Sequence, residues 1–434
     1  MAQSESEEQH TQPRDWSVVA LLAALFGSAM ANATLDTVLG LQVFAIDRQA
    51  LDLGLLGLAA FTPTALLVLV TGSIADRFDR RHVAACALVG ETVVAGALFV
   101  YLRSTPTSVW PIFGFAFAFG TARAFAGPAT RALPADIVAA DRVPWVVARS
   151  SIMWQTATIL GPVLGGFLYA ANTRAPYPVI ALPSLSGAML VLAVRRSAQP
   201  HAPLPDLPPE GNIIEPEEPA SKAGLREAIE GLRFVRRQPV VLGAISLDLF
   251  AVLFGGAVAL LPALGEERLH VGAVGVGWLR AAGGIGASTV TLCLAIRPLR
   301  RRVGRTLLGV VALFGAATIV LGLTRTFAIA FIAMLVLSGA DAVSVFVRAT
   351  LVPLVTPRSK RGRVLAVENV FIGASNELGA FESGVAGQIL GPAGAVVLGG
   401  AATLAIAVTW AGIFPALRDV DEFPTPVEDN DVDA

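Results

Sequence analysis

Gly72-Ser73-Ile74-Ala75-Asp76-Arg77-Phe78-Asp79-Arg80-Arg81 is the stretch on which the fold turns. Five of its ten residues carry charge, and it joins two long apolar runs, residues 53–75 and 82–102. A bilayer core takes about 20 apolar residues per helix. Each run is long enough to cross it, so the polar stretch reads as the bend between two membrane helices.

The whole chain has that character. Of 434 residues, 54% are hydrophobic and 15% charged, with a mean hydropathy of +0.67. A soluble domain carries about 25% charged residues, so the expected solvent is lipid. Cys86 and Cys293 both sit in apolar runs, and the four histidines are scattered. Neither spacing suggests a disulfide framework or a metal site. No nucleotide-binding loop or nucleophile constellation is visible. The expectation is a protein that is not an enzyme, with no bound cofactor and no nucleic-acid partner. Residues 1–16 are polar and acidic without the basic start of a cleaved signal peptide, so the first apolar helix is expected to be retained.

Twelve apolar segments follow along the chain. They are residues 18–35 (continuing to about 46), 53–75, 82–102, 105–122, 150–172, 175–194, 238–265, 271–296, 306–324, 326–355, 364–390 and 393–417. Alternate loops are rich in arginine: Arg77, Arg80 and Arg81, then Arg131 and Arg142, then Arg297 to Arg305, then Arg358 to Arg363. The opposite loops hold single arginines, Arg48, Arg103, Arg174, Arg268 and Arg325. Short basic loops stay on the cytoplasmic side, so both termini are expected there. Between the sixth and seventh segments, residues 196–237 begin Pro-rich and acidic, a composition that buries no core. They then turn amphipathic from Gly224 to Arg237, with Leu225, Ile229, Leu232 and Val235 at helical spacing. The expected organisation is a cytoplasmic tail (1–16), a six-helix bundle (17–195), a cytoplasmic linker with a short amphipathic helix (196–237), a second six-helix bundle (238–417) and an acidic tail (418–434).

Two six-helix halves on a long linker resemble the major facilitator superfamily. The opening stretch strengthens the likeness. Gly72, Asp76, Arg77, Arg80 and Arg81 are similar to the signature loop of that family, with Asp79 standing where a second glycine is usual. Arg123-Ala124-Phe125-Ala126-Gly127 resembles its fourth-helix pattern, with Ala126 in place of a glutamine, and Gly161-Pro162-Val163-Leu164-Gly165-Gly166 half-matches a motif of exporters. Residues 122–129 and 371–384 look like the enterobactin-exporter and macrolide-efflux-like branch. The resemblance implies an all-α fold of twelve transmembrane helices in two pseudo-symmetric six-helix bundles, working as a monomer. It also implies a gate latch. Asp76 would face a helix amino end of the other half, Gly72 would permit close helix approach, and the arginines would pair with Asp136 or Asp141. Gly161 and Pro162 would bend the fifth helix.

A charge in mid-bilayer costs about 2.5–3.5 kcal/mol on insertion scales and marks a functional candidate. By the resemblance, helices 1, 4, 7 and 10 line the central cavity. Asp36, Arg123, Asp248, Asp341 and Arg348 fall on those helices, whereas helices 3, 6, 9 and 12 bear only Glu91 deep inside. Asp341 and Arg348 are seven apart, about 10 Å along a helix, so each needs another partner, and Arg348 could snorkel to the cytoplasmic end. On the eleventh helix Glu368 and Glu382 fall within about 40° of each other, with Glu377 about 180° from Glu368. Proton-coupling candidates are Asp36, Glu377, Arg123 and Asp341. Substrate-cavity candidates are Asp36, Arg123, Asp248, Asp341 and Asn376. The expected activity is export of a small amphipathic molecule, siderophore or drug-like, across a bacterial inner membrane. A proton gradient would drive it and the two halves would rock about a central site. Proton-linked uptake on the same fold is the alternative; a non-transporting membrane sensor is a remote one.

Overall fold

The computed structural model describes residues 15–104, 106–194 and 230–425, and among them every long element is a helix. In chain order these are α1 (Asp15–Asp47), α2 (Ala50–Arg77), α3 (Arg80–Tyr101), α4 (Trp110–Ile137), α5 (Val143–Ala171) and α6 (Pro176–Ala193). There follow α7 (230–237), α8 (Pro239–Phe254), α9 (Leu261–Glu267), α10 (Gly272–Ile296), α11 (Val303–Leu323), α12 (Phe327–Val355), α13 (Arg358–Ile413) and α14 (Pro415–Arg418). Two details recover twelve spans from this order. Inside α13, Gly391 has φ 76° and ψ 157° and Pro392 follows, so the element is two helices meeting at a break. Only glycine takes that backbone readily. Conversely α8, a short 3-10 turn (Ala257–Leu260) and α9 together make one span.

The break after α8 has a packing cause. A Cβ on Gly256 would strike the Gly379 carbonyl, and one on Gly255 the Phe314 ring. α8 ends where α13 and α11 press closest. Ten segments among the described residues are long and apolar enough to cross a membrane, with α13 counted once and α4 left out for its polar content. Their outward faces carry large apolar side chains: Leu66, Val100, Ile296 and Val408 are 64–73% exposed. A helix apolar all round belongs in a core or a bilayer, and such a surface has no stable place in water.

The chain divides into two compact units, Met1–Leu39 with Ala59–Gly211, and Gly40–Leu58 with Asn212–Ala434. In the first, α3 packs on α4 and α6, around a core of Leu21, Leu88, Leu133, Ile137 and Val191. Small residues let the helices close up. Where Gly161 stands on α5, a Cβ would lie 2.7 Å from Ala33 of α1, and the Thr34 hydroxyl donates to the Gly161 carbonyl at 3.1 Å.

In the second unit, α10 packs on α12, α11 on α12 and α13, and α8 on α13, around Leu247, Leu307, Val347 and Val352. The hairpin end of α2 belongs to this unit: a Cβ on Gly54 would sit 2.9 Å from the Phe381 Cα of α13, and one on Gly384 3.0 Å from the Gly54 Cα. The first free N–H groups of α11 are capped by the segment that follows α14. Val303 donates to the Asp421 carbonyl (3.1 Å) and Gly304 to that of Val420 (2.9 Å), and the Arg302 N–H donates to the Asp421 carboxylate (3.2 Å). Those donors have no partner within a helix.

Candidate functional site

The opening stretch forms the sharp turn its charges foretell. α2 ends at Arg77 and α3 begins at Arg80, with Asp79 as N-cap. The Asp79 carboxylate accepts from the Arg81 N–H (3.0 Å) and from the Arg81 guanidinium (2.7 Å). An aspartate at this position satisfies an unpaired helix N–H, which is what the residue in the place of a glycine does here. Arg80 pairs with Asp136 at the end of α4 (3.0 Å), and Arg81 also donates to the Val194 carbonyl (2.8 Å). Asp141 is exposed on the following turn, and Arg77 is exposed. Asp76 lies on α2 with its side chain outside the described ones. Around Gly72 a Cβ would meet nothing within 4 Å among the described residues.

Asp36 and Arg123 meet. Their side chains, on α1 and α4, are 3.6 Å apart and about half exposed. On the same unit a pocket opens between α1, α4 and α5, lined by Leu25, Arg131, Pro134, Ser151 and Trp154. Nearby, the Arg149 guanidinium lies 3.5 Å from the centroid of the Trp145 ring, a cation–π contact. Glu91, buried on α3, accepts from the Ser184 hydroxyl of α6 (3.1 Å).

The second unit assembles a charge network that sequence spacing concealed. Arg348 is 3% exposed rather than snorkelling. Its guanidinium binds Asp248 of α8 at 2.7 Å and Glu368 of α13 at 3.5 Å. Asp341, two turns earlier on α12, faces Asp248 across a small cavity. Sequence reasoning placed Asp248, Asp341 and Arg348 on the right helices but had no signal for Glu368 as the third member. That link depends on how α13 crosses α12, which no local pattern encodes. Glu377 is half-buried against the Gly57 position of α2, where a Cβ would lie 3.0 Å from its carboxylate. Asn376 is exposed and its amide donates to the Ile372 carbonyl (2.8 Å).

The family model described as Major Facilitator Superfamily matches residues 19–346. The chain belongs to the Major Facilitator Superfamily. Its long apolar helices are those of a multi-pass membrane protein. Among curated superfamily members it is similar to an uncharacterized MFS-type transporter, YfiS, of Bacillus subtilis strain 168, at 28% identity over 66% of this chain and 63% of that one. It also resembles Multidrug resistance protein 1 of the same organism, at 26% identity over 45% of this chain and 46% of that one. The matches thus span less than two thirds of either relative. Among solved structures of the fold, a bacterial homolog of the human lysosomal transporter Spinster, inward-facing and unoccupied, superposes with a TM-score of 0.67 at 16% identity, covering 94% of this chain and 96% of that one. A D-xylose-proton symporter gives 0.66 at 15% identity, covering 92% and 98%. At such identities the likeness is one of fold.

Proposed function

We propose that this superfamily member exports a small amphipathic molecule across a bacterial inner membrane in exchange for protons, as a monomer with both termini in the cytoplasm. The observation that carries the reading is the Asp36–Arg123 pair, a carboxylate and a permanent cation half-open to solvent on α1 and α4. An arginine keeps its proton, so Asp36 is the member that can load and release one. Ionised Asp36 and Arg123 together hold the polar head of the substrate, and protonation of Asp36 withdraws its charge from that head, so proton and substrate compete for the same carboxylate. The pocket bearing Trp154 beside Arg131 supplies the apolar wall and polar edge that suit an amphipathic ligand.

Glu377, Asp341 and Asn376 remain further candidates for coupling and binding. Gly72, Asp76, Arg77, Arg80 and Arg81 are proposed as the gate latch, with Arg80–Asp136 as its closed contact, and Gly161 with Pro162 as a bend in α5. The name of the multidrug relative favours export, as does the resemblance to the enterobactin-exporter and macrolide-efflux-like branch. Inverted membrane vesicles test direction. Energised vesicles carrying the wild-type chain are expected to accumulate an amphipathic dye, and vesicles with Asp36→Asn are expected to bind it without accumulation. Substrate accumulation by right-side-out vesicles instead would favour uptake.

A further inference from the structure

We infer that Asp341 carries an exchangeable proton inside a small cavity that it shares with Asp248 and Ser344, so that the second unit holds a protonation site of its own. Its place in transport rests on the proton-coupled reading above; proton binding itself is separable from transport.

Two carboxylates, Asp248 and Glu368, hold one guanidinium, Arg348, and a third, Asp341, shares a cavity with Asp248. Asp248, Glu368 and Arg348 are all less than 7% exposed. Among the described residues no cation lines this cavity; the basic residues of α13, Arg358, Lys360, Arg361 and Arg363, stand five or more residues before Glu368, and Arg363 pairs with Glu230. α11 contributes Val310, Val311 and Phe314 to the cavity wall and no charge. The one charged residue of α10, Arg280, lies toward Gly40 of α1. Glu377 and Glu382 stand 9 and 14 residues further along α13 than Glu368, about 13 and 21 Å at the helical rise. Buried charge without a partner is costly, and a carboxylate in that position takes up a proton instead. Asp248 and Glu368 both hold Arg348. Asp341 is half-buried and has no ion pair among the described residues, and it is the acid left to be neutralised.

The cavity supplies the second observation. It has room for about one water molecule, too little for an organic substrate. Ser344 lines it, is 4% exposed, and its hydroxyl has no hydrogen-bond partner among the described residues. Other helical hydroxyls here turn back onto the preceding helical turn: Thr350 donates to the Phe346 carbonyl (2.8 Å) and Thr318 to that of Phe314 (2.9 Å). Ser344 does not. It lies three residues after Asp341, on the same helix face, and its free hydroxyl can accept from a protonated Asp341 and donate to Asp248. The rest of the lining is apolar, so a bare metal cation would find far fewer oxygens than the six or more that hard cations take. The geometry therefore points to a proton, taken up as the Asp341 carboxylate becomes a carboxylic acid and given up as the acid ionises.

Infrared difference spectra of the purified full-length protein in lipid, recorded across a pH titration, test this without any substrate. The wild type is expected to show a protonated-carboxyl band around neutral pH. That band should be lost in Asp341→Asn, shifted in Asp341→Glu, and retained in Asp36→Asn. Sodium at constant pH should leave it unchanged. A band that persists unaltered in both Asp341 variants overturns the assignment, as does its removal by sodium. If Asp341→Asn does not fold, the Asp341→Glu shift decides alone. Loss of coupled transport in Asp36→Asn with the Asp341 band intact would separate the two sites, whereas normal transport in Asp36→Asn would count against the first site only.

Discussion

Arg348 shows most clearly what a single side chain holds in place. Its guanidinium binds acids from two other helices in a buried setting, and removing one partner of such a set costs about 3–5 kcal/mol because the remainder is left uncompensated. Arg348→Ala is therefore expected to lower the thermal midpoint sharply. Asp248→Asn keeps shape and hydrogen bonding and should cost far less; equal losses would mean that the network is not organised by the arginine. Glu91 is the opposite case. One of its oxygens accepts from Ser184 and the other has no partner among the described residues. A neutral amide can serve the same hydroxyl, so Glu91→Gln is expected to leave the midpoint unchanged or raised and transport intact. A large loss of either would show that the carboxylate is needed in charged form. At this scale the sequence showed which charges fall on which long apolar helices. It did not show who pairs with whom. Asp36 and Arg123 are 87 positions apart and Arg348 and Glu368 twenty, and both pairs are made by helix crossings that leave no periodic trace.

Elements were far more legible, because hydropathy reports directly on the lipid-facing length of a helix. The differences lie at the ends. The fourth apolar run stops at Arg123, yet α4 continues to Ile137, since a charge ends an apolar run without ending the backbone hydrogen bonding. α5 likewise starts at Val143, ahead of the apolar residues from 150 onward. The span from 238 to 265 hides the break at Gly255 and Gly256, which is caused by neighbours and so is invisible locally. Of the single arginines on the less basic loops, two serve as helix caps: Arg174 donates to the Leu102 carbonyl (3.0 Å) and Arg268 to that of Thr324 (3.0 Å). Cations at helix carboxyl ends are favourable there.

Close crossings give a sharp expectation. At Gly54 a Cβ would have to displace α13 backbone rather than a flexible side-chain tip. Gly54→Ala should therefore destabilise by about 1–3 kcal/mol, as overpacking does, read as a fall in thermal midpoint; an unaltered midpoint would mean that the crossing is loose. The carboxyl-terminal cap of α11 makes another. Ending the chain after Asp419 removes the Val420 and Asp421 acceptors, and with them about 0.5–2 kcal/mol of helix capping. An unchanged midpoint for the shortened chain would show that water replaces the tail.

On the scale of the molecule, composition, loop charge and the spacing of apolar runs led to a superfamily that the family match then established. The substrate is not written in those features, because it depends on a handful of side chains around a cavity rather than on the repeating pattern of the helices. The central claim is that a proton and a substrate share the Asp36–Arg123 pair. Proteoliposomes holding a pH-sensitive dye, with no imposed gradient and an amphipathic substrate added outside, measure it most directly. Wild-type protein is predicted to move protons out of the lumen as substrate enters, and Asp36→Asn to produce no proton movement while still binding substrate. Substrate-driven proton flux that survives in Asp36→Asn, or substrate transport without any proton flux in the wild type, would contradict the account.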